Sequence, residues 1–125
     1  MIPGREATAG GQEFPPASRL RTSRDYTRTW RQGRRYHTAQ LVVVAAIGFS
    51  GVRLGITVSR KVGGAVERNR LKRWIREYFR RHRGNLVSPL DLSVVAKPGA
   101  ASLDHGQLDD QLRDAFTRLQ LYAAP

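Results

Sequence analysis

The chain has 125 residues, enough for one domain with a modest core and not for two. Its 22 Lys and Arg against ten Asp and Glu give a net charge of +12, which favours nucleic acid or an anionic membrane as partner over the role of an ordinary soluble enzyme. With no cysteine, disulfides and thiolate metal sites are excluded.

The first segment, residues 1–17, is rich in Gly, Pro and Ala without any period and reads as a flexible extension. It lacks the apolar stretch of a signal peptide, and no apolar run approaches the ~20 residues of a membrane span, so a cytoplasmic protein without a membrane partner is expected. A helix is predicted from about Arg24 to Gln32, with Ser23 as N-cap and Gly33 as C-cap. Gln40 to Ile47 is a Val-rich apolar run of strand length, buried on most sides. Gly48-Phe49-Ser50-Gly51 supplies a turn and Val52 to Ser59 a second strand, so these two are expected to pair as a hairpin. A second helix spans Ala65 to Arg83 and stops at Gly84. Asp91 to Lys97 reads as a further strand, ended by Pro98-Gly99. A last helix, from Leu103 or Asp104 to Leu121, carries the apolar stripe Leu108, Leu112, Ala115, Phe116 and Leu119. Asp109–Arg113 and Asp114–Arg118 are expected to support it at i, i+4.

Charge is unevenly placed along these elements. Residues 1–83 hold 19 basic against five acidic side chains, whereas residues 84–125 hold three against five. Only three of the 22 bases are lysine. Arginine's planar fork suits phosphate and base stacking, and a GC-rich genome would produce the same bias. The second helix is the densest segment: residues 68–83 contain eight bases and one acid, Glu77. At 100° per residue, Asn69, Arg73, Arg76 and Arg80 share one face, flanked by Lys72 and Arg83, while Leu71, Trp74, Ile75 and Tyr78 oppose them. A solvated helix face is the ordinary explanation of such a run. Here like charges at i, i+4, Arg68–Lys72 and Arg76–Arg80, oppose the helix with few acids to relieve them, and a polyanion removes that cost.

The order Val58-Ser59-Arg60-Lys61-Val62-Gly63, then Arg68-Asn69-Arg70 with Lys72-Arg73 and Arg76-Glu77, resembles the signature of the bacterial ribonuclease P protein subunit. Arg19-Leu20, Asp25-Tyr26 with Trp30 and Gly33, and Val94-Val95-Ala96-Lys97-Pro98 extend the resemblance over roughly residues 18–121, leaving 122–125 as a tail. The resemblance implies an α+β fold of order αβββαβα, with a four-stranded central sheet and a rare left-handed βαβ crossover, as in a domain of a small-subunit ribosomal protein. General topology rules would choose the right hand.

It also implies a function: the protein subunit of a ribonucleoprotein endonuclease that removes the 5′ leader from precursor tRNA. By resemblance, Lys61, Arg68, Asn69, Arg70, Lys72, Arg73, Arg76 and Arg80 would contact the catalytic RNA. Tyr26 and Trp30, with Arg24 and Arg28, would line a cleft for the single-stranded leader. Mg²⁺ would be held by the RNA subunit, which would perform the hydrolysis. Spacing alone leaves Tyr26 and Trp30 equally open to packing against the sheet or stacking on bases. Val44 stands where the family places a third aromatic.

Other motifs are weak. Gly63-Gly64 is a turn that can offer N–H groups to phosphate but lacks the order of a P-loop. His37, His82 and His105 have no metal-ligand spacing, and His82 continues the apolar side of the second helix. No nucleophile–base or paired-carboxylate constellation emerges. A structural or ribosomal RNA-binding protein is the alternative reading. A DNA-binding regulator is disfavoured because a strand, not a turn-linked helix, precedes the basic helix. A stand-alone nuclease would cleave without RNA.

Overall fold

A computed structural model describes residues 19, 20 and 22–123; the extension expected over residues 1–17 lies outside them. The first helix, α1 (Ser23–Gln32), begins one residue earlier than its sequence suggests and is capped by Thr22, not Ser23. The acid three residues on decides this. Thr22 Oγ1 accepts from Asp25 N at 3.1 Å and the Asp25 carboxylate accepts from Thr22 N at 3.4 Å, a reciprocal box that Ser23 and Tyr26 could not form. Three strands follow, β1 (Arg34–His37), β2 (Leu41–Ile47) and β3 (Val52–Thr57), then α2 (Ala65–His82), β4 (Leu90–Ala96) and α3 (His105–Arg118). The order is αβββαβα. The short β1, two arginines with Tyr36 and His37, carries no apolar alternation and was not legible as a strand.

The sheet order is β1-β2-β4-β3, with β2 antiparallel to both neighbours and β3 parallel to β4. The expected hairpin of β2 with β3 therefore does not form; β4 lies between them. Six of the seven β2 residues are buried, and so are six of seven in β4, so the two strands that must be covered on both faces take the centre. The loop joining β2 to β3 crosses the start of β4. Gly48 N donates to Pro89 O at 3.2 Å and Leu90 N donates to Gly51 O at 2.9 Å, so the crossing leaves these groups paired. Gly51 adopts φ +62°, which glycine alone takes without cost. Helix α2 is the crossover that returns the chain from β3 to its parallel neighbour β4.

Side-chain alternation gives the sheet two different faces. Leu41, Val43, Leu54, Leu92 and Val94 face α2 and α3, meeting Leu71, Ile75, Tyr78 and Phe79 of α2 and Leu108, Leu112, Ala115 and Phe116 of α3 in one core. Among the described residues, α1 is the helix that packs on the other face. Gly33 at its end lies so close that an added Cβ would sit 2.5 Å from Thr29 O and 2.8 Å from Ala45 O. Helix α3 is capped by an Asp104–Gln107 box. Its predicted Asp114–Arg118 pair is present at 3.6 Å, but Arg113 pairs with Asp110 at 2.9 Å because Asp109 is drawn to Arg81 of α2 at 3.0 Å.

Near the C-terminal end of α2, Tyr78 and Tyr122 share a hydroxyl–hydroxyl hydrogen bond of 2.6 Å, and the His82 ring lies 4.1 Å from that of Tyr78. Burial, reinforced by the Arg81 charge, holds the His82 pKa below its usual value. A depressed histidine pKa favours the neutral ring in the folded state. Its contribution is therefore complete above the unfolded value of about 6.5 and is lost as pH falls through the folded one. Unfolding titrations at about pH 7 and about pH 5 should show a smaller acid-induced loss of stability in His82→Gln than in the parent chain.

Candidate nucleic-acid interface

The basic residues of α2 divide by what holds them. Asn69, Arg73, Arg76 and Arg80 are exposed along one face, and Lys61 is exposed in the loop before the helix. Arg73, Arg76 and Arg80 have no ion-pair partner among the described residues, and Glu77 is turned to His105 at 3.7 Å. Lys72 flanks them, half-buried. Arg68 and Arg70 are committed to the fold in part. Arg68 Nε donates to Gly63 O at 3.2 Å and so fixes the Gly63-Gly64 turn against the helix. Arg70 donates to Ala101 O at 3.2 Å, with its guanidinium 5.3 Å from the Trp74 ring centre. Trp74, read from sequence as core, is half-buried and stacks on His105 at 4.8 Å, so Phe79 takes the fourth buried place on the apolar side.

On the opposite face of the sheet, register aligns Arg35, Val44, Ser93 and Gly55 in one row across all four strands. Both α1 aromatics rest on this row. Trp30 Nε1 donates to Ser93 Oγ at 3.1 Å, and the Arg35 guanidinium lies 4.5 Å from the Trp30 ring centre. Tyr26 sits on Gly55, where a Cβ would come within 2.5 Å of its ring, so any larger residue would lift the ring off the sheet. Burial raises the Tyr26 pKa, which keeps its hydroxyl protonated. Both rings are half-buried: packing and partial access coexist. Val44, at the position of the expected third aromatic, is fully buried beneath α1 and offers no surface.

Arg24 and Arg28 do not join these aromatics. Arg28 bonds Asp91 through Nη2, with Nη1 3.2 Å from Ile47 O and 3.4 Å from Gln32 Oε1. Arg53 on β3 reaches the same carboxylate in a two-pronged pair, Nε and Nη2 each at 2.9 Å, and meets Asp25 of α1 at 3.5 Å. Asp91 has no exposed surface, and its bond holds the Arg53 pKa above the usual value. Arg24 is exposed on the outer side of α1, away from Tyr26 and Trp30. Sequence reading missed the Asp91 clamp, although an acid within an otherwise apolar strand was its visible signal.

Among the described residues no three His, Cys, Asp or Glu side chains converge to hold a metal ion, and no helix is long and apolar enough to cross a membrane. Because Asp91 is fully buried between Arg28 and Arg53, Asp91→Asn should lower stability. Removing one partner of a buried ion pair costs about 3–5 kcal/mol, and chemical denaturation should show a loss near the lower figure because both arginines keep some solvent.

A family model described as Ribonuclease P matches residues 14–120. The chain is 37% identical over 112 residues to the Ribonuclease P protein component of Desulforapulum autotrophicum, covering 88% of this chain and 95% of that one. It is 41% identical over 109 residues to the protein of the same name from Syntrophobacter fumaroxidans, covering 86% and 92%. Among solved structures, the Staphylococcus aureus RNase P protein superposes with a TM-score of 0.79 at 30% identity, covering 84% of this chain and 97% of that one. The Thermotoga maritima RNase P protein gives 0.68 at 34% identity, covering 77% and 92%.

Proposed function

The chain belongs to the ribonuclease P protein family and is the protein subunit of that ribonucleoprotein endoribonuclease; from that premise we propose how its residues divide the work. The exposed face of α2, Asn69, Arg73, Arg76 and Arg80 with Lys61 and Lys72, docks on the ribonuclease P RNA, and Arg68 and Arg70 shape and border it. The half-buried rings of Tyr26 and Trp30, with Arg35 over Trp30, receive the unpaired 5′ leader of precursor tRNA on the other face of the sheet. The single observation that carries this reading is the row Arg35–Val44–Ser93–Gly55, which brings both aromatics down onto the sheet and leaves each partly open.

The protein's own residues bind and orient; among the described residues no three His, Cys, Asp or Glu side chains form a ligand set for a metal ion. The hydrolytic Mg²⁺ ions belong to the RNA subunit, and the protein's contribution is cationic screening of two closely approaching phosphate backbones. Both RNAs meet in the cytoplasm.

Two measurements test the division. Arg73→Gln with Arg76→Gln should weaken binding to the RNA subunit and reduce the log–log salt slope by about 0.9 for each duplex phosphate that is no longer neutralised. An unchanged slope in the folded double variant refutes the assignment of that face. Trp30→Ala should lower affinity for leader-bearing precursor by roughly 1–3 kcal/mol and leave mature tRNA nearly unaffected. A loss of thermal stability with an unchanged precursor-to-mature ratio would make Trp30 a packing residue alone.

A further inference from the structure

Beyond the cleft and the α2 face, one more cationic surface stands on the structure. Arg24, Arg28 and Arg31 recur at i, i+4 and i+7 along the outer side of α1 and line a shallow concavity with Ser23, Thr27 and Gln32. Arg24 and Arg31 are exposed and have no partner among the described residues; the acid of this helix, Asp25, is turned away to Thr22 and Arg53. Beside the stripe, the loop after β2 projects Phe49, 78% exposed, and Ile47, 82% exposed, the two most exposed large apolar side chains described. Phe49 is not loose. The Arg28 guanidinium lies 4.4 Å from its ring centre, and Arg28 is itself fixed by Asp91 and by the Ile47 carbonyl. One face of the ring is covered by a pinned cation, and the ring remains largely open to solvent.

We propose that the outer side of α1, with Phe49 as its stacking ring and Arg24 and Arg31 as its phosphate contacts, is a second site for single-stranded RNA, taking the part of the leader upstream of that held in the cleft. The proposal rests on the leader reading above. An aromatic held in place beside free guanidinium groups is the composition that binds unpaired nucleotides without regard to sequence, each base stacking and each phosphate meeting a cation. Duplex RNA would gain nothing from Phe49, since its bases are already stacked. The RNA subunit is assigned to α2, which packs on the other face of the sheet. A leader emerging from beneath α1 has only to pass round one helix, about 10 Å across, to reach Phe49.

The test uses the holoenzyme reconstituted with its RNA subunit. Affinity is measured for precursors whose unpaired leader is lengthened stepwise, and for mature tRNA. In the parent protein affinity should keep rising after the leader has filled the cleft. Phe49→Ala should remove about fivefold or more of that later gain, Arg24→Gln with Arg31→Gln should reduce it and flatten its salt dependence, and Phe49→Tyr should retain it. The shortest leader and mature tRNA should be unaffected by all three. Equal losses at every length and with mature tRNA, or no loss at any length, overturn the proposal. Trp30→Ala separates it from the reading beneath it. If Trp30→Ala abolishes leader discrimination while Phe49→Ala changes nothing, the cleft stands and the outer site falls; if only Phe49→Ala alters leader dependence, the cleft reading falls.

Discussion

A carboxylate with no solvent exposure, Asp91 on a central strand, is the constraint from which the working surfaces follow. An isolated buried charge is untenable, so this one must be met by cations with near-ideal geometry. One cation comes from α1 and the other from β3, and together they tie the helix to the sheet at a fixed height. Two residues further along the same strand, Ser93 receives the Trp30 indole. The space between α1 and the sheet is thus defined at two points on one strand, and the partial exposure of both aromatics is a consequence. The same bond holds Arg28 beneath Phe49, so the inner and outer sides of α1 are set by one anion.

Placement of the remaining acids follows a related logic. The acid-rich C-terminal third folds into β4 and α3, where its carboxylates are consumed internally. Asp104 caps α3, Asp109 pairs with Arg81 of α2, and Asp110 and Asp114 pair within the helix. None is left to neutralise Arg73, Arg76 and Arg80. Among the described residues, arginines without an ion-pair partner therefore remain on α2 and, as Arg24 and Arg31, on α1, two helices on opposite faces of one sheet. Repulsion among those arginines is tolerable because Leu71, Ile75, Tyr78 and Phe79 anchor α2 in the core regardless of its outer charge.

Legibility of the fold tracked how local each determinant is. The three helices could be read because amphipathic stripes and caps are encoded within a few residues; the start of α1 slipped, since the choice between Thr22 and Ser23 depends on Asp25, and α3 stops at Arg118 instead of Leu121 because Gln120 takes a positive φ. The β2–β3 hairpin was misread because adjacency in sequence and a Gly-containing turn are local signals, whereas the competition for the sheet centre is global. Burial of β4 on both faces decides it, and nothing near residue 48 reveals that. Strand β1 was invisible because its residues are held by register with β2 instead of by their own pattern. The shared exposed face of Asn69, Arg73, Arg76 and Arg80 was legible from helical periodicity. Arg24 and Arg28 were grouped with Tyr26 and Trp30 by resemblance; in the fold Arg24 stands on the outer side of α1 and Arg28 is held by Asp91 of the sheet.

The two-faced sheet also explains why a chain whose C-terminal acids are consumed internally suits this enzyme. A protein that binds two RNAs must keep their phosphates apart from its own core and close to each other. Placing one cationic helix on each face achieves this with the sheet and its two apolar faces between them. On the proposed assignment, α2 meets the RNA subunit and α1 meets the leader, so the substrate is held by a body that is itself fixed to the catalyst. Affinity gained at α1 then raises the effective concentration of the cleavage site at the RNA, in the same way that linking two binding modules raises avidity without enlarging either interface. The rigidity of the α1 attachment matters for that gain, since a loosely tethered helix would spend it on ordering, and the attachment is the buried bond of Asp91.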